Sequence, residues 1–142
     1  MASGTVYTAI RDFLEANYTA TALVFDNERY DPSAADHWAM IEIAGTYFGR
    51  ESIGADDPML DRFEEEGVLI ISMMAPADVG TKTARDHLET LAELFRGRRL
   101  LSDLLEFEDA RVGFGERVGA ENGADGNWYR LNMTVDWRLI EA

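Results

Sequence analysis

The stretch "NWYRLNMTVDWRLIEA", residues 127–142, constrains this chain more than any other. From Tyr129 the apolar residues occupy every second position: Tyr129, Leu131, Met133, Val135, Trp137 and Leu139. Arg130, Asn132, Thr134, Asp136 and Arg138 stand between them. A period of two is that of a half-buried β-strand, whose successive side chains point to opposite faces. Terminal residues fray unless something ties them down. So strong a strand at the end of the sequence implies a sheet to hold it, and it raises the question of what its polar face meets.

The rest of the pattern supplies that sheet. "SGTVYTAIRDFLEANY" carries Val6, Ile10, Phe13 and Leu14 at helical spacing, with Arg11, Asp12 and Glu15 on the other side. This predicts an amphipathic helix over about 4–17. "ATALVF" reads as a short strand ended by the turn-rich "DNERYDPSAAD". "HWAMIEIAGTYF" reads as a second strand and "GRESIGADDP" as a loop or ribbon tip. The apolar, β-branched "GVLIISMM" reads as a central strand buried on both faces. "TKTARDHLETLAELFRG" is the clearest helix: Ala84, Leu88, Leu91 and Phe95 form one stripe, Thr83 and Asp86 suggest a shortened capping box, and Gly97 is placed to end it. "LLEFEDARVGFG" returns to strand and "ERVGAENGADG" reads as a glycine-rich loop, poorly ordered, at the tip of a hairpin with the closing strand. The expected order is helix, three strands, helix, two strands. That is an α+β domain spanning 1–142, with two main helices packed on a mixed, mostly antiparallel sheet of about five strands.

Composition narrows the function. At 142 residues the chain buries roughly 68% of its unfolded surface as one domain. Its longest apolar run, Val68 to Ala77, is interrupted by Ser72, well short of the about 20 residues that span a bilayer. The N-terminus has no basic region followed by an apolar stretch, so no secretory signal and no membrane partner are expected. Without cysteine there is no disulfide or thiolate chemistry. Twenty-seven acids against thirteen bases give −14, which argues against binding through phosphate neutralisation.

Catalytic and metal signatures do not emerge. His37 and His87 lie far apart in the sequence, where a zinc site wants three or four ligands with close pairs. "ENGADGN" lacks the oxygen spacing and final glutamate of a calcium loop. There is no phosphate-cradling loop with a lysine and no G-x-S-x-G elbow. No enzyme, cofactor or metal is expected. Glu64, Glu65 and Glu66 read as one solvated edge, with a cation site as the sharper alternative. Trp128 and Ile140 fall on the polar face of the closing strand and flank Arg130 and Arg138. Trp and Arg are enriched at protein interfaces, so these residues, with the three glutamates, form the candidate interface.

The order of these motifs resembles the tail terminator, or tail completion, family of long-tailed bacteriophages and phage-derived gene transfer agents. The resemblance covers nearly the whole chain. After the N-terminal helix comes "ALVFDNERYDPSAADHW", in which Val24, Asn27, Tyr30, Pro32 and Trp38 follow the family's run of apolar strand, Asn, aromatic, Pro and Trp. "GVLIISMMAPADVGTKTARDHLETLAELFRGRRL" follows its strand, small-residue turn and helix ending in Leu-Phe, and an aromatic alternating strand closes the domain. The resemblance implies a structural virion protein at the head-proximal end of the tail, assembled in the bacterial cytoplasm. It implies a homohexameric ring that caps the tail tube protein, ends its polymerisation and joins it to the head-side connector or stopper protein. DNA would pass through the ring without specific binding, past a surface of like charge.

Three other classes stay open on the residues alone. The first is a cytoplasmic binding or regulatory module, dimeric through an edge strand. The others are an acidic DNA mimic and an enzyme with a diffuse acid-based site.

Overall fold

The computed structural model describes residues 2–32, 36–50, 63–118 and 128–140. Helix α1 spans Gly4–Asn17 and starts at Ser3, whose hydroxyl accepts the Val6 N–H at 3.3 Å. It buries Val6, Ile10 and Leu14 and ends at Tyr18, whose N–H donates to Leu14 O. Strands β1 (Ala22–Phe25), β2 (Trp38–Arg50) and β3 (Phe63–Pro76) follow, then α2 (Lys82–Phe95), β4 (Arg99–Leu100), β5 (Leu105–Val118) and β6 (Trp128–Ile140). The strands form one sheet in the order β1-β2-β3-β6-β5-β4. The β1–β2 pair is parallel and the others are antiparallel. The fold is therefore α+β with a mixed, mostly antiparallel sheet. It has six strands rather than five, because the two-residue β4 adds an edge no periodicity could announce.

Both helices pack on one face of the sheet. Val6, Ile10 and Leu14 of α1 and Ala84, Leu88, Leu91 and Phe95 of α2 join one core with Ile41 of β2, Leu69, Ile71 and Met73 of β3, and the odd-numbered apolar residues of β6. The closing strand thus buries the side its alternation predicts, with Met133 and Val135 wholly inaccessible. It lies in the middle of the sheet, paired along its length by β3 and over most of it by β5. That double ladder is what ties down the terminal strand.

Three expectations need correction. "GVLIISMM" is central in the sheet but not buried on both faces: Leu69, Ile71 and Met73 are inaccessible, while Val68, Ile70 and Ser72 are half-buried. Among the described residues no helix covers that second side. The capping box at Thr83 and Asp86 does not form, because α2 begins two residues earlier, with Thr81 as its N-cap. Thr81 Oγ1 accepts from Arg85 Nε at 2.9 Å, and Asp86 holds Lys82 Nζ at 2.7 Å. Gly97 does stop the helix, with φ of 64°. Finally, Gly49 and Arg50 continue β2, and Glu116–Val118 continue β5. The rest of the two expected loops, 51–58 and 119–126, lies outside the described residues.

One glycine is required by a close approach. A Cβ on Gly67 would come within 2.0 Å of Ala44 O and 2.4 Å of the Trp137 ring. Gly67 faces Trp137 across the β3–β6 ladder, so the bulkiest fully buried side chain of the core occupies the notch that glycine leaves.

Candidate interface surface

The uncovered face of the sheet carries the even-numbered residues of β6. Register sets their neighbours: Arg138 lies between Glu66 of β3 and Glu106 of β5, and Asp136 lies beside Val68. Arg138 Nε donates to Glu64 Oε2 at 2.6 Å and lies 3.7 Å from Glu66 Oε1. Arg111 Nη2 donates to Asp136 at 2.9 Å, and Ser72 Oγ donates to Asn132 Oδ1 at 2.8 Å. Arg130 pairs with Glu116, its cross-strand neighbour. Opposite charges facing each other across a sheet stabilise it modestly, by about 0.2–1 kcal/mol per pair. Glu64, whose side chain is only 12% exposed, makes the least solvent-screened of these pairs. The polar side of the closing strand therefore meets complementary residues of β3 and β5 in its own chain.

The glutamate run is not one solvated edge. Strand alternation sends Glu64 and Glu66 to the uncovered face beside Arg138, and Glu65 to the helix side, where it is 3% exposed. There its Oε1 accepts the N–H of Ser3 at 2.9 Å, just ahead of α1. A carboxylate near the first turn of a helix is favoured by the helix dipole and by the unpaired N–H groups there. Among the described residues, no group of three or more His, Asp or Glu is placed to hold a metal ion.

Trp128 also departs from expectation: it is buried, at 6% exposure, rather than standing out from the polar face. It packs edge-on against Trp38, with ring centroids 5.9 Å apart, in a second cluster with Val24, Met74 and Val118. Tyr30, from the connection between β1 and β2, lies over this cluster, 5.0 Å from the Trp38 ring. That connection covers one end of the face the helices leave bare, and no local pattern in β6 could report it. Ile140, at the other end of the strand, is half-buried and donates its N–H to Leu104 O at 3.2 Å.

The exposed apolar residues lie elsewhere. On β5, Val112 is 65% exposed and Phe114 is 97% exposed. Strand β4 pairs only with Leu105 and Glu106, and Arg98 O accepts the Phe107 N–H. From Glu108 to Val118 the outer edge of β5 has no partner strand among the described residues. The strand is bulged between Phe107 and Ala110 and again between Val112 and Gly115, and Phe114 projects from the second bulge. Beside it an apolar groove of about 270 Å³ runs between α2 and the sheet, lined by Leu88, Ala92, Val112, Leu131 and Met133, with Arg85 and Glu89 also on its wall. Sequence reasoning missed this edge, although "GFG" inside a strand is a signal for a bulge. It also missed that His37 and His87 meet, with ring centroids 5.6 Å apart.

No family model and no curated protein matches this sequence. In three dimensions 22 chains of known structure resemble it. One of them matches with a TM-score of 0.66, covering 98% of this chain and 96% of its own, at 17% identity. At that identity the likeness shows the fold, over essentially the full length of both proteins.

Proposed function

We propose that this protein is a non-enzymatic structural subunit, a tail terminator whose copies form a hexameric ring at the head-proximal end of a phage-like tail. The ring caps the tail tube, ends its polymerisation and offers the head-side connector a surface to join. Two things support the reading: the order of motifs along the whole chain, and an open strand edge. The edge carries it structurally, because a strand edge that has no partner among the described residues and bears exposed Val112 and Phe114 invites pairing with another chain. A heterologous contact closed by rotation makes a ring. Aligned copies then turn one weak contact with the tube into a strong multivalent one.

The same edge favours a second reading, a binding module whose two copies pair β5 with β5 about a two-fold axis. Light scattering and electron microscopy of the purified protein, with Phe114→Lys beside it, separate the two. The ring reading expects six-fold particles, alone or when tube protein is added, and their loss in the variant without change in melting temperature. Dimers lost in the variant would replace it with the module. Deleting the gene should leave tubes that overrun their length or lack heads; normal tails on filled heads would overturn the terminator role.

A further inference from the structure

Three elements meet at two imidazoles. His37 immediately precedes β2, His87 lies in the second turn of α2, and Tyr18 caps the end of α1. The two imidazole rings lie 5.6 Å apart, and the Tyr18 ring lies 6.5 Å from His87, edge-on at 90°. The His37 side chain is only 7% exposed. Its Nδ1 sits 3.1 Å from Asp36 Oδ2, while its Nε2 is buried and has no hydrogen-bond partner among the described residues.

We propose that His37 and His87 form an acid-released latch: protonating them separates the start of α2 from the start of β2 and the end of α1, while the strand core stays folded. The chemistry follows from the donor inventory. In a neutral His37 the proton faces Asp36 on Nδ1, and Nε2 is a bare acceptor. Protonation adds a second N–H at the buried Nε2, where no acceptor stands among the described residues, and a buried donor left unsatisfied costs free energy even with Asp36 facing the other nitrogen. A second cation on His87 then lies in ring contact with the first.

The groups facing the pair do not cancel this. Burial, then the neighbouring His37, pushes the His87 pKa down; Asp86 and Asp36 act in the opposite direction and are outweighed. Asp86 is also engaged by Lys82 at 2.7 Å, and Asp36 is largely solvated. Tyr18 is kept neutral by burial, which raises its pKa, and offers no negative charge. Because the folded His87 binds its proton less readily than an ordinary imidazole near 6.5, the unfolded or opened chain takes up the proton first. The latch is closed above that value and weakens as pH falls through it. The core of Leu69, Ile71, Met133 and Val135 contains no group that titrates there, so the opening is confined to this corner.

The test uses the full chain, whose two histidines make their imidazole NMR signals unambiguous. The signals are followed from about pH 7.5 to about pH 5, with amide exchange corrected for its intrinsic pH dependence. Wild type should show His87 titrating below the ordinary imidazole value. Protection should fall in residues 82–88 while β3 and β6 keep theirs, and the denaturant midpoint should drop. His87→Gln and His37→Gln should each abolish most of the acid loss of protection. Equal losses in wild type and both variants would overturn the latch. So would a His87 that titrates at or above the ordinary value, a reading that needs no variant to fold.

Discussion

The two faces of this sheet begin from the same alternation and end differently. On one, the odd-numbered residues of β6 meet two helices, and the contacts are hydrocarbon on hydrocarbon: Val135 and Met133 touch no water. On the other, the even-numbered residues meet no helix among the described residues. Arg138, Asp136, Asn132 and Arg130 are instead matched one by one to Glu64, Arg111, Ser72 and Glu116 on adjacent strands. At the end near Trp128 the face is apolar, and there Trp38, Met74 and Tyr30 make a small second core. The covered face has its strength in volume filled, which cannot be given up in parts. The open face has it in separate pairs, each weak and each replaceable.

Adjacent residues of β6 test this contrast most severely. Val135→Asp places an unpaired charge among Leu69, Met133 and their neighbours, and should cost about 4 kcal/mol or more, enough to prevent folding. Thr134→Asp, one residue away on the open face opposite Arg111, should change stability by less than about 1 kcal/mol. Equal effects in thermal denaturation would mean that the two faces are not differently covered.

Trp128→Ala comes next. If the second cluster is a true core, the loss should be about 3 kcal/mol, with Trp38 fluorescence shifting to the red as its ring is uncovered. If stability is untouched while self-association disappears, Trp128 acts at an interface after all and the open face has no core of its own.

The ion pair gives the smallest effect. A double-mutant cycle of Glu64→Gln and Arg138→Gln should report a coupling of about 0.5–1 kcal/mol at low ionic strength, falling as salt is added. A coupling of several kcal/mol would show that this end of the face is far drier than its neighbours in the sheet.

Sequence reasoning reached the fold better than the surface. The stripe at Ala84, Leu88, Leu91 and Phe95 and the alternation from Tyr129 to Leu139 were legible because each is a local period imposed by one element. Gly97 was legible because a helix stop needs only one permissive residue. The candidate site fared differently. Arg130 and Arg138 lie on the open face as expected, but their partners come from strands distant in sequence. Trp128 is buried because Tyr30 and Trp38, distant in sequence, pack against it on that same face. Phe114, the most exposed aromatic, was hidden because a bulge breaks the period that would have placed it.

The sequence by itself determined the class of architecture: two amphipathic helices, a mostly antiparallel sheet, and a closing strand with one apolar side. Hydrophobic burial acts on every element separately, so its periodicity is written within each one. Only the tertiary structure decided that Glu65 turns to the start of α1 while its two neighbours turn to Arg138. It alone brought His37 against His87, and left β5 rather than β6 at the open edge. These are choices of partner between segments tens of residues apart, and they follow from strand order and register, which no single segment encodes.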